Sequence, residues 1–330
     1  MTFPNLVGPI PGKDAWVSIS QIDLSDLTYV FTFKPEVGDL AVSIGRIGLI
    51  HQPLLQERGE SFKVVSGYKR ILALKKLDKE GFQAKIAKEE VNELKLFLFT
   101  LYENLGTRSL DEVERSTVVA KLIDQFGLPH SKVRDEILPL LGLGRSDKVL
   151  DLYLALAGME KEIKEEAVQD RLSLEAVKML AQMAKPERQK VFPWIKGLRL
   201  GKNRQKGFLI LLGDLAKLKG LSPSAILEDS RVEEIMSRKD WPPPVKAQMV
   251  EEYLKGERYP VYKKAKDEYK KAVKELKLPH NFSLNPPPYF EGEEYEIKFK
   301  FKDKTDLQQA ISYLAHLFKG RALERLLSIP

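Results

Sequence analysis

The chain predicts an α+β domain at the N-terminus, an all-α middle and a small β-α module at the C-terminus. Three observations carry that reading. Residues 14–106 mix short apolar runs with Gly and Pro punctuation, and residues 109–230 show helical periodicity and helix caps without a strand pattern. Near the end, Tyr295, Ile297, Phe299 and Phe301 alternate with Glu296, Lys298 and Lys300, the period of a half-buried strand, before a helical run to Leu317. With 330 residues, 43% of them hydrophobic, there is apolar material for several packed domains.

Taken in order, Trp16 to Ile19, Pro53 to Leu55 and Phe62 to Val65 read as strands, and Ile71, Leu72, Leu74 and Leu77 form a helical stripe. Val91 to Leu105 is a helix apolar nearly all round, so it must be buried. Ser109 and Glu112 have the spacing of a capping box, and Leu110, Val113, Val119, Ala120 and Ile123 supply the buried face that follows. Gly127 and Pro129 end that helix. A second runs from Ser131 to Leu141, Gly142 to Ser146 turn, and a third spans Asp147 to Ala157, the order of a helix-turn-helix. Further helices are expected over Ser173 to Met183, Phe208 to Lys219 and Ser222 to Leu227. Trp241 to Pro244 and Asn285 to Pro288 mark boundaries around a helical Lys246 to Leu278 broken at Pro260, and Thr305 with Gln308 suits a capping box for the last helix. The expected divisions are therefore 1–106, 107–230, 231–290 and 291–330. A lone tail strand leaves its backbone unpaired; pairing with the same strand of a second copy satisfies it, with a local hairpin to Phe282 to Leu284 or Tyr289 to Glu291 as the alternative.

Composition removes whole classes of chemistry. There is no cysteine, which excludes disulfides, thiol nucleophiles and thiolate metal sites, and the four histidines, His51, His130, His280 and His316, have no metal-ligand spacing. No apolar run nears the roughly 20 residues that span a bilayer. Met1 to Gly12 lacks the pattern of a signal peptide, so a cytoplasmic chain with no membrane partner is expected. No Walker loop, nucleophile elbow or Gly-x-Gly-x-x-Gly occurs. The net charge is +7, and between Arg188 and Gly213 seven basic residues occur without an acidic one. Arg199, Lys202, Arg204 and Lys206 in that run are candidates for tracking the phosphates of DNA, the alternative being a solvated face.

Two places could hold a ligand. At Lys63 to Arg70 a strand passes through Gly67 into a helix whose first turn carries Lys69 and Arg70; unpaired N–H groups, partial positive charge and two cations suit a phosphate, although many such turns hold none. At the end of the buried helix, Glu103 and Asn104 either cap it or hold a metal-bound ligand.

The order of these motifs resembles the ParB partition proteins. Ser43-Ile44, Gly48-Leu49-Ile50 and Gln52-Pro53-Leu54 resemble the family's G-x-x-Q-P-L box. Val64 to Ala73 resembles its G-E-R-R-x-R-A box, and Glu103-Asn104-Leu105 with Arg108, Leu110 and Glu114 resembles its third. Phe126-Gly127-Leu128 and the helices after it are similar to the family's DNA-binding domain, and the tail to its dimerisation module. The departures are Tyr68 for the usual Glu, Lys69 for an Arg, one extra residue between Gly48 and Pro53, and Thr107 where the third box has Arg, with Arg108 one place later. The resemblance implies a divergent member with a ParB/sulfiredoxin-like N-terminal domain: a homodimeric, nucleoid-associated clamp on double-stranded DNA that binds CTP with magnesium, partners a ParA-type ATPase and serves chromosome or plasmid partition or transcriptional regulation. By position, Gly67, Lys69 and Arg70 would hold the phosphates, with Gln52, Pro53 and Arg108 beside the nucleotide. Glu103 and Asn104 would serve catalysis, Glu103 also the metal, and Arg145, Ser146 and Lys148 would read DNA. The same scaffold in relatives also supports phosphotransferases, for which Glu103 would be the base, and cysteine-based sulfiredoxins, which this chain cannot be. A third reading is an interaction scaffold whose ligand pocket has decayed.

Overall fold

The short apolar runs near the N-terminus come together as one mixed sheet. The computed structural model describes residues 8–290, 292, 294–317 and 321–328. The chain divides into two units, Met1–Met183 and Ala184–Pro330. The first begins β1 (Gly12–Ser18), β2 (Ile22–Asp23), α1 (Gly38–Ile47), β3 (Leu54–Arg58), β4 (Ser61–Ser66), α2 (Tyr68–Lys76), β5 (Gly81–Ala87) and α3 (Glu93–Thr107). The strands lie in the order β1-β5-β3-β4-β2. The β1/β5 and β3/β4 pairs are antiparallel; β3/β5 and β2/β4 are parallel.

On one side of the sheet Ile44 of α1 and Ile71 and Leu74 of α2 pack with Val17, Leu55 and Val64. The other core joins Leu54 and Val65 of the sheet to Phe97 and Leu101 of α3, and these in turn to Val118, Leu122 and Ile137 farther along the chain. Helix α3 is therefore packed from more than one direction, which accounts for its lack of a polar face. Leu96, Phe97, Leu98 and Leu101 are all fully buried, each contributing roughly 1.5–3 kcal/mol.

After α3 the first unit is helical: α4 (Glu112–Ala120), running on into a π-helical turn at Lys121–Gln125; α5 (His130–Lys132), a second π-helical stretch at Val133–Ile137, and α6 (Leu138–Leu140); then α7 (Asp147–Ala157), α8 (Lys161–Val168) and α9 (Leu174–Ala181). The capping box sits two residues later than Ser109 and Glu112. Asp111 accepts from the Glu114 amide at 2.8 Å, and Glu114 accepts from the Asp111 amide at 3.2 Å. Arg108 and Asp111 are both extended, which lets Leu110 reach the core before the helix begins.

The second unit comprises α10 (Lys185–Gly197), α11 (Lys202–Lys219), α12 (Pro223–Leu227), α13 (Ser230–Ser237), α14 (Pro243–Arg258), α15 (Pro260–Leu276), β6 (Phe282–Asn285), β7 (Glu296–Phe299), α16 (Lys304–Leu317) and α17 (Arg321–Leu327). The break expected at Pro260 is where α15 starts. The tail strand is not alone. β7 pairs antiparallel with β6, with Leu284 opposite Ile297, and the Phe282 and Phe299 rings stack at 5.2 Å. This is the local hairpin with Phe282 to Leu284 that the sequence offered as the alternative, and it satisfies one edge of β7 within the chain, where closing a short loop costs little chain entropy. Glu291, part of the other hairpin considered, lies outside the described residues. The last cap is also displaced: Asp303 accepts from the Asp306 amide at 2.9 Å, and Thr305 and Gln308 lie within α16. Among the described residues no helix is long and apolar enough to cross a membrane.

Candidate functional site

The bend at Gly67 is built by three local features. The β3/β4 register shifts between Leu54 and Leu55, a bulge that re-aims the end of β4. Gly67 then takes a left-handed conformation, φ 89°, and a Cβ there would lie 3.0 Å from Pro53 Cβ and 3.1 Å from Arg70 Nε. The first helical bond runs from the Ile71 amide to the Gly67 carbonyl at 3.0 Å. No side chain caps α2, so the amides of Tyr68, Lys69 and Arg70 meet the solvent side with the positive end of the helix dipole.

These amides border a cavity of about 300 Å³, at the small end for ligand pockets. Tyr29 to Thr32 form another wall, and the end of α3, with Thr100, Glu103, Asn104 and Thr107, forms the third, Arg108 following. Arg70 lies across this space. Its Nη1 donates to the carbonyls of His51 at 2.9 Å and Gln52 at 3.3 Å, and its Nη2 pairs with Glu103 at 3.2 Å. Ser66 donates its hydroxyl to the other Glu103 oxygen. Lys69 lines the cavity and forms no ion pair among the described residues. Pro53 is buried against Gly67, whereas the Gln52 side chain lines a neighbouring cavity of about 340 Å³ that shares Ser66 and Glu103.

Asn104 and Arg108 are engaged with the protein. Asn104 Nδ2 donates to the Thr100 carbonyl at 2.9 Å, and its Oδ1 accepts from Arg108 Nε at 2.9 Å. Arg108 also forks onto Glu114, at 2.5 and 2.9 Å, joining α3 to the cap of α4. Among the described residues Glu103 is the one carboxylate bordering the cavity, and no group of three or more His, Asp or Glu could hold a metal by itself.

Two contributors lie beyond sequence reasoning. Ser66 sits on a buried strand, and its partner is 37 positions away. Lys121, which opens the π-helical turn after α4, donates to the Leu27 carbonyl and to those of Thr28 at 3.2 Å and Val30 at 2.8 Å. It thereby fastens the loop that walls the cavity. Burial pushes the Lys121 ammonium down to about 8, against a smaller opposing pull from Asp26. A lysine in a helical run gives no sequence signal of this role.

The DNA candidates fall elsewhere. At the start of α7, Arg145 and Lys148 are exposed. Ser146 accepts from the Val149 amide at 3.2 Å as the helix cap. Asp147 pairs with Arg134 at 3.0 Å, and Arg134 also reaches Asp135 at 2.8 Å. In the second unit, Arg199 and Lys202 are exposed between α10 and α11, with Lys206 farther along α11. The acid-free run is not acid-free in space: Lys190 pairs with Glu228 at 3.4 Å, Arg204 with Glu251 at 3.1 Å, and Arg188 is buried.

No protein-family model matches the chain. The probable chromosome-partitioning protein ParB of Chlamydia muridarum is 24% identical over 180 residues, 52% of this chain and 61% of that protein. Its counterpart in Chlamydia pneumoniae is 26% identical over 181 residues, 51% of this chain and 60% of that protein. The chain thus spans about three fifths of the length of these curated relatives. The nucleoid occlusion protein of Shouchella clausii is 26% identical over 113 residues, 34% of this chain and 38% of its own. Among solved structures, C-terminally truncated ParB of Caulobacter crescentus complexed with CTP-γ-S matches with TM-score 0.26 and 18% identity, over 55% of this chain and 99% of that one. A Pnob8-like ParB-N domain matches with TM-score 0.38 and 14% identity, over 75% and 99%. The second and third boxes meet around one cavity, the first lies beside it, and about half the chain aligns with ParB proteins. Over about half its length the chain resembles the ParB partition proteins, as a divergent relative of that family.

Proposed function

We propose that the chain is a dimeric DNA-binding protein of the partition type, with CTP and magnesium held at the Gly67 bend and double-stranded DNA held at the start of α7. The observation that carries this reading is the cavity itself. The start of α2, where no side chain caps the helix, borders a space of about 300 Å³ with Lys69, and Arg70 there pairs directly with the carboxylate of Glu103. The donor set fits the group. Backbone amides and two cations suit a polyphosphate, and magnesium is commonly held by one or two carboxylates together with phosphate oxygens, so Glu103 suffices. Bound there, CTP with its metal would supply a charge that Arg70 can neutralise in place of Glu103.

Gly67, Lys69 and Arg70 would then receive phosphate, with Gln52, Pro53 and Arg108 alongside; Glu103 would hold the metal, and hydrolysis would draw on Glu103 and Asn104. Arg145, Ser146 and Lys148 would contact DNA, with Arg199, Lys202, Arg204 and Lys206 as a phosphate-tracking surface. We further propose the four-part division at 106, 230 and 290, a nucleoid-associated location in the cytoplasm, a ParA-type ATPase partner and a role in partition or regulation. Calorimetric titration with CTP tests the core of this. Arg70→Ala should weaken binding about ten- to hundredfold, the loss of charged hydrogen bonds worth about 1.5–3 kcal/mol. An unchanged affinity, or no CTP binding by the parent chain, overturns the reading.

A further inference from the structure

The second unit contains a cleft of about 510 Å³ bordered by α13, α14 and α15. From α15, Lys263, Lys266 and Lys270 enter it three and four residues apart, which places them on one helix face. Arg231, Arg238 and Lys255 approach from the other elements, so six cations meet three carboxylates, Glu234, Glu252 and Asp267. Only Arg238 among these cations has an ion pair, with Glu234 at 3.8 Å, while Lys255, Lys263, Lys266 and Lys270 form none among the described residues. This is the reverse of the acid-free run, where Lys190 and Arg204 are paired. In 231–270 the sequence is rich in acids, yet among the described residues the lysines of one cleft have no ion-pair partner.

The cleft also has aromatic walls. The Arg238 guanidinium lies 5.4 Å from the Trp241 ring centre and that of Arg231 6.0 Å from Tyr253, with Tyr262 completing the lining. Gly256 is buried within α14, and a Cβ there would lie 2.6 Å from Lys263 Cδ. A helix-interior glycine costs roughly 0.5–1 kcal/mol against alanine, and here it makes the room in which Lys263 lies across α14.

Unpaired lysines beside aromatic faces suit a ligand that shows both phosphates and exposed bases. A duplex presents its phosphates but stacks its bases away, so the aromatic walls would go unused; a single strand presents both. We propose that this cleft binds single-stranded nucleic acid, its phosphates on Lys263, Lys266 and Lys270 and a base against the ring of Trp241. The site is separate from the Gly67 cavity and does not depend on the CTP reading.

The test is fluorescence anisotropy of a labelled oligothymidylate with the full chain across a salt series, with circular dichroism confirming that each variant is folded. Combined Lys266→Gln and Lys270→Gln should lower the slope of log affinity against log salt by about 1.4, roughly 0.7 for each single-strand phosphate no longer neutralised. Lys266→Arg with Lys270→Arg should restore it. Tryptophan emission should be quenched by the oligonucleotide in the parent chain and not in Trp241→Phe. An unchanged slope in the Gln variant overturns the proposal, as does an unlabelled duplex of the same length that displaces the probe as well as an unlabelled single strand does. CTP affinity should be the same in all these variants, so loss of one site is read independently of the other.

Discussion

Replacing Arg108 with alanine separates two roles for that residue, nucleotide ligand and structural joint. The Glu114 carboxylate is 3% exposed and takes both arms of the Arg108 guanidinium, at 2.5 and 2.9 Å. Removing one partner of a buried pair strands the other charge, at a cost of about 3–5 kcal/mol. Arg108 is 30% exposed, so water can enter the space it leaves, and the Asp111 amide still donates to Glu114. The expected loss is therefore at the low end, about 3 kcal/mol. Combined Arg108→Ala and Glu114→Gln should recover much of it, because a neutral glutamine still completes the capping box; the double-mutant cycle should show a coupling of about 2 kcal/mol. Urea unfolding followed by circular dichroism measures these values. Hydrogen exchange at the Glu114 and Arg115 amides, which bond to Asp111 at 2.8 and 2.9 Å, localises the damage. A loss below about 1 kcal/mol, the range of an exposed pair, together with CTP binding weakened as much as in Arg70→Ala, would refute the joint and make Arg108 a ligand of the nucleotide.

The Gly67 bend and the Lys121 clamp make two further predictions. Gly67→Ala should destabilise the first unit by about 1–2 kcal/mol through its left-handed conformation, more if Pro53 cannot shift, and should abolish CTP binding; a thermal melt and calorimetry on one preparation check both. The Lys121 ammonium titrates at about 8 when folded against 10.5 in the free side chain, so between those values the unfolded chain binds more protons and stability should rise with pH. Comparing urea midpoints at about pH 8 and pH 9.5 keeps the measurement largely below the tyrosine range, where Tyr29 and Tyr153, their hydroxyls raised by burial, act in the opposite direction; Lys121→Met should diminish the rise and leave the part that belongs to Lys164, whose ammonium burial also lowers, and a variant with the full rise removes Lys121 as a cause.

Elements with a strong local period are legible in the order of residues alone. The strands at Trp16, Pro53 and Phe62 fall within or beside β1, β3 and β4, and the turn at Gly142 to Ser146 leads into α7 as spaced. β5 is harder to read although Phe82, Ala84 and Ile86 alternate inward, because Ala84 and Ala87 are weakly apolar and Gln83 and Lys85 suit a helix as well as a strand. Helix α10 is hidden by Pro186 and Pro193, the second inside the helix. Two caps fall two residues from their expected places, one later and one earlier, since Ser, Thr and Asp can all cap and the choice is made by which apolar side chain must reach the core. At the site, the strand-to-helix bend with its two cations is visible in Lys63 to Arg70. The carbonyls of His51 and Gln52, Glu103 and the hydroxyl of Ser66 are not visible as its partners, because nothing in a linear spacing says which distant oxygens a guanidinium will meet.

Helix α3 explains why the third box must be read as a unit. Within one continuous stretch, Thr100 bonds to the Val65 carbonyl at 2.8 Å, Glu103 holds Arg70 and Ser66, Asn104 orients Arg108, and Arg108 grips Glu114 of α4. The helix backbone is rigid over this distance, and Leu96, Phe97, Leu98 and Leu101 leave it no room to rotate. A change in what Glu103 holds therefore acts on a rod whose far end is clamped to the helical part of the unit, while Lys121 clamps the opposite wall of the cavity from that same part. Arg108, one place after Thr107, has a definite position in this arrangement. Thr107 closes the helix by donating to the Glu103 carbonyl at 3.0 Å, and Arg108, the first extended residue, can turn back to Asn104 and forward to Glu114 at once. The departure from the family spacing thus places the cation at the joint between the two kinds of structure.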